Sequence, residues 1–146
     1  MSDLAMGETP ARTPWHLWVV GALSLLWNAA GAWTIMSAQS GAPMDMDANE
    51  IAYYAAQAPW FVAVTDVALI APIFGAVALL LRSRWAVPLY GLSVAAIAVT
   101  SVYDIAQRTA LLLRDQGWLV LSCVTVGLAL GQLVYAAALR RSGVLR

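Results

Sequence analysis

Apolar residues gather into four long runs, at 15–36, 60–81, 85–103 and 118–139, with polar stretches between them. Each run is about the length a helix needs to cross the hydrocarbon core, roughly 20 residues. None alternates every second residue, as a strand of an outer-membrane barrel does. Backbone groups in lipid must be satisfied within the segment, so the runs predict α-helices. Each run opens on a tryptophan, Trp15, Trp60, Trp85 or Trp118, whose ring favours headgroup depth. The expected fold is an all-α integral membrane protein, a four-transmembrane-helix bundle. A polar segment, 1–14, precedes the bundle at 15–139, and a basic tail, 140–146, follows it. The first run is too long, and its leader too acidic at Asp3 and Glu8, for a signal peptide.

The polar stretches have patterns of their own. In the first loop, 37–59, Asp47 and Glu50 have the spacing of a capping box. Ile51, Tyr54 and Ala55 then fall on one face of a short helix that ends before Pro59. It reads as an interfacial helix with Tyr53 and Tyr54 at headgroup depth, or as an outer lid or a docking surface for a partner. Asp104 and Arg108 are four apart, which extends the third helix beyond the bilayer, and Gly117 reads as a helix stop before the fourth.

Composition agrees with this picture. Hydrophobic residues are 62 % of the 146 and charged residues 11 %, and the net charge is zero. That balance excludes a soluble globular enzyme, a disordered tail and a nucleic-acid partner. Arg12, Arg82, Arg84, Arg140, Arg141 and Arg146 fall on one side if the spans alternate. The other side holds Arg108 and Arg114 among acidic residues, so both termini are expected in the cytoplasm. One cysteine, Cys123, and one histidine, His16, leave no disulfide and no metal site to expect. No catalytic constellation is present, so no enzymatic activity and no cofactor are expected.

The candidate site rests on polar groups inside the spans, where an ionisable side chain is a functional hypothesis by default. Counted from Trp60 and Trp15, Asp66 and Asn28 come to nearly the same depth, in the outer half. Thr65, Thr100 and Ser101 fall near that level, and Asp104 at the outer rim. Together they form a candidate solute- or proton-binding cluster, with Asn28 orienting the Asp66 carboxylate. The alternatives are a structural hydrogen-bond clamp or a shallow, hydrated carboxylate. Gln132 lies in the inner half of the fourth run, out of reach of Asp66, and is expected to bond a neighbouring helix. Beside it, Gly127 and Gly131 make a GxxxG packing face, toward the bundle or toward a second chain. Pro72 predicts a kink in the second span.

Three segments resemble a known family. They are Pro14-Trp15 with Leu25-Leu26-Trp27-Asn28 and Gly31, then Ala58-Pro59-Trp60, then the stretch from Arg82 to Pro88, RSRWAVP. The family comprises small four-span bacterial inner-membrane proteins, labelled uncharacterised or "sugar transporter" without a mechanistic basis. Ala32-Trp33-Thr34 departs from it, standing where an acidic-aromatic pair is usual. The resemblance implies a bacterial inner membrane and assigns no functional residue. The leading expectation is a non-enzymatic accessory, assembly or oligomer-forming component. Its partners would be the bilayer and either other membrane chains or itself, through the Gly127–Gly131 face. The alternative is a small-solute or proton-coupled transporter, active as an oligomer, with Asp66 and Asn28 in its site. A membrane enzyme or a carrier of quinone, lipid or pigment comes third.

Overall fold

The computed structural model describes residues 13–41, 48–112 and 116–146, without the side chains of 49, 50 and 107–118. Arg12, Asp45, Asp47 and Arg114, and the side chains of Glu50 and Arg108, lie outside that description, and with them the capping-box reading. Every element is an α-helix: α1 (His16–Gln39), α2 (Ala48–Ala55), α3 (Pro59–Leu80), α4 (Ala86–Leu112) and α5 (Gln116–Arg141). Four of them, α1, α3, α4 and α5, are long and apolar enough to cross a membrane. The runs expected from hydropathy match these helices within a few residues, except that α4 continues well past Tyr103. Gly117 is not a helix stop, since it lies inside the first turn of α5. Its neighbours up to Arg141 supply enough consecutive helix formers to carry the turn through it.

Local chemistry explains the helix ends. Ala58 is extended and Pro59 opens α3, where the missing N–H costs nothing. Pro88 likewise sits in the first turn of α4. Pro72 is different: it is buried inside α3 and cannot donate to the carbonyl of Ala68, one turn earlier. That carbonyl accepts the Ser93 hydroxyl from α4 instead, at 2.9 Å. The helix therefore runs unbroken through the proline.

α5 ends in a Schellman turn. Gly143 takes φ +73°, and the amides of Gly143 and Val144 bond back to the carbonyls of Arg140 and Leu139. α3 ends the same way, but with Arg82 at the left-handed position, φ +57°, where a side chain costs about 1 kcal/mol or more. The arginine is held there by the chain's last residues. Its carbonyl accepts the Arg146 amide, its Nε donates to the Val144 carbonyl, and the next amide but one, Arg84, donates to the Arg146 carbonyl. The tail is thus a short strap laid against the α3–α4 turn. Val144 and Leu145 are buried there with Leu17, Leu79, Tyr90 and Leu139, in one apolar cluster.

α1 packs on α3, α3 on α4 and α4 on α5. Small residues set these distances. A Cβ at Gly75 would lie 3.1 Å from the Tyr90 ring, so α3 and α4 meet through that glycine. The fourth edge, between α1 and α5, is joined through side chains: His16 with the Tyr135 hydroxyl at 2.6 Å, and Asn28 with Gln132 at 3.4 Å. The start of α1 and the end of α5 share one end of the bundle, the terminal end, with the α3–α4 turn. The opposite, loop end carries α2. Trp15, Trp60 and Trp85 are exposed at the helix starts, where anchors are expected.

Candidate functional site

The polar side chains inside the bundle form two groups at different depths. The first lies near the middle. Asn28 is half-way along α1, about 18 Å from either end at 1.5 Å per residue. Its amide nitrogen donates to the Ser24 carbonyl at 2.7 Å, and approaches the Ser24 hydroxyl and the Gln132 Oε1 at 3.4 Å each. Ser24 is buried and bonds the Tyr90 hydroxyl at 2.9 Å. One chain of hydrogen bonds therefore links α4, α1 and α5 through Tyr90, Ser24, Asn28 and Gln132. Gln132 thereby joins α5 to α1.

The second group lies toward the loop end. Gly21 of α1 stands against Leu80 of α3, and the helices run antiparallel from there. That register places Asp66 roughly one to two turns loop-ward of Asn28. The two side chains are not brought together, and the Asn28 donors are committed elsewhere. The equal depths inferred from the sequence came from counting from Trp15 and Trp60 as though both marked a bilayer boundary. α1 in fact runs on to Gln39, and the two counts have no common origin. Asp66 and its neighbour Thr65 are half-buried on α3. Asp66 Oδ1 and Thr65 Oγ1 are themselves enclosed and make no hydrogen bond. Thr100 turns its hydroxyl back to the Ala96 and Ile97 carbonyls of its own helix, and Ser101 is half-buried beside it on α4.

Asp104 belongs to the loop-end rim and not to the Asp66 group. It accepts the Tyr53 hydroxyl at 2.5 Å, which tethers α2 to the extended end of α4. Gln39 donates to Gln57, tying the end of α1 to the segment after α2. Beneath them Trp60, Phe61 and Tyr103 form an aromatic cluster with ring centroids 4.7–5.8 Å apart. The short helix thus caps the bundle. On it Ile51 and Ala55 are exposed, and Tyr53 and Tyr54 are half-buried.

The packing residues divide as well. Gln132 meets Asn28, but a Cβ placed at Gly127 or Gly131 would touch nothing within 4 Å. The GxxxG face points out of the fold. Cys123, one turn further along the same face, is exposed too. Ser24, Tyr90 and Ser93 were missed by the sequence reading. A serine in an apolar helix gives no pattern, and a tyrosine away from the rim reads as packing; the proline at 72 was the one available signal for Ser93. Compared with family models, curated proteins and solved structures, the chain matches none.

Proposed function

We propose that this chain is a non-enzymatic component of a bacterial inner membrane that works by associating with other membrane chains, as an oligomer or as a subunit of a larger assembly. The observation that carries this reading is the outward face of α5. Glycine in a helix costs about 1 kcal/mol relative to alanine. At Gly75 the close approach of Tyr90 repays that cost, but at Gly127 and Gly131 nothing among the described residues does. Two glycines four apart on an unoccupied face are what a second transmembrane helix needs to come close. The exposed arginines Arg84, Arg140, Arg141 and Arg146 all lie at the terminal end, which supports placing both termini in the cytoplasm. The RSRWAVP resemblance supports the bacterial inner membrane.

The test is co-purification. Tagged and untagged copies are expressed together and extracted in mild detergent. The tagged chain is expected to bring down its untagged copy or another membrane chain, and Gly127→Leu with Gly131→Leu to abolish this. Recovery of the tagged chain alone would overturn the reading.

A second reading, a small-solute or proton-coupled transporter, is favoured by the enclosed, unbonded oxygens of Asp66 and Thr65. Its site is Asp66 with Thr65, without Asn28. It requires that Asp66→Asn abolish solute or proton flux in vesicles while the protein stays folded. Unchanged flux removes it.

A further inference from the structure

The Asn28–Gln132 bridge leaves hydrogen-bonding groups over. An amide carries one acceptor oxygen and two N–H donors. In the bridge, Asn28 uses its nitrogen and Gln132 its oxygen. Asn28 Oδ1 and the two N–H groups of Gln132 make no hydrogen bond among the described residues. Neither atom is enclosed, since the enclosed unbonded atoms are those of Thr65 and Asp66. Both therefore keep some accessible surface, at the α1–α5 edge and near the middle of the helices.

No water is available at that depth, and an unmet amide group in hydrocarbon is costly. Lipid tails offer neither donor nor acceptor. The leftover set is also self-complementary: each chain presents a free amide donor and a free amide acceptor, side by side on one edge. A two-fold axis along the membrane normal satisfies both at once, because such an interface applies the same patch to itself. Gly131 is next in sequence to Gln132, and Gly127 lies one turn beyond, so the same helix has room for close approach. No other polar side chain is needed from the partner.

Resting on the associative reading above, we propose that the partner is a second copy of this chain. The two copies meet along their α1–α5 edges, and Gln132 Nε2 of each donates to Asn28 Oδ1 of the other. The amides thus serve both the fold and the dimer: one half of each closes the bundle and the other half crosses to the second copy.

The experiment is single-molecule photobleaching of the full-length labelled chain in phosphatidylcholine–phosphatidylglycerol vesicles, over a range of protein-to-lipid ratios. The wild-type chain is expected to bleach in two steps at ratios where Asn28→Leu and Gln132→Leu bleach in one, a dissociation constant raised at least about tenfold. Tyr90→Phe cuts the same hydrogen-bond chain at its buried end and is expected to leave the dimer unchanged. If both leucine variants dimerise like the wild type, the amide exchange is wrong and association by another face stands. If the wild type is monomeric and captures no other chain, the associative reading falls with it. If it is monomeric alone but recovered with a different chain, the second copy is the wrong partner. A check that does not depend on the variants folding is the wild-type chain itself, for which a single bleaching step at every protein-to-lipid ratio overturns the proposal.

Discussion

At the residue scale, two glycines show how one residue type takes opposite roles. Gly75 is needed, because the Tyr90 ring stands where its side chain would go. Gly75→Ala is expected to cost about 1–3 kcal/mol in reversible unfolding from mixed micelles. Gly127→Ala, with open space around it, is expected to stabilise the isolated chain by up to about 1 kcal/mol, the helix-propensity gain. Equal destabilisation at both sites would contradict this assignment. Pro72 and Ser93 form a functional pair: the proline frees the Ala68 carbonyl and the serine occupies it. Ser93→Ala is expected to cost about 0.6–2 kcal/mol with Pro72 present. In a Pro72→Ala background the backbone amide at 72 takes over the carbonyl, so the cost should shrink toward zero. A double-mutant cycle measures that coupling, and additive effects would refute it.

At the scale of elements, the spans were legible in the sequence because hydrophobic run length is set by one strong requirement, the thickness of the hydrocarbon core. The extension of α4 past Tyr103 was legible as well, through the spacing of Asp104 and Arg108. The strap of Val144–Arg146 was not. Three residues after a basic pair read as a solvated tail, and only the turn at Arg82 reveals that Val144 and Leu145 have a pocket to fill. Leu145→Ala is expected to cost about 2 kcal/mol, the lower end for a buried leucine. It should also raise hydrogen exchange at Arg84 and Arg146 first. A loss of less than about 0.5 kcal/mol would mean the strap is not part of the core. At the opposite end, Tyr53→Phe removes the bond to Asp104 and is expected to speed exchange in α2 while leaving α3 unchanged. Uniform exchange across the two would show that α2 is held by other means.

At the scale of the whole molecule, the candidate site was read in part. The sequence named Asp66, Asn28 and Gln132 because strong polar groups stand out in apolar spans. It paired them wrongly because pairing depends on which helices are neighbours and on their relative register, and neither is written in a single apolar run. The arrangement that results is a bundle closed tightly along three edges and loosely, through amides and a His16–Tyr135 bond, along the fourth. The small-residue face and the leftover amide groups both lie on that loosely closed side. The proposed association there both completes the hydrogen bonding and covers the glycines. The proposed cytoplasmic placement of both termini predicts that a reporter fused at residue 146 reads as cytoplasmic, and a signal from the opposite side would contradict it.

The most direct measurement is native mass spectrometry of the wild-type chain released from lipid nanodiscs. The account predicts a species of twice the 15.6 kDa chain mass, persisting at activation energies that strip lipid. A bare monomer at every protein-to-lipid ratio, with no other chain bound, would contradict it.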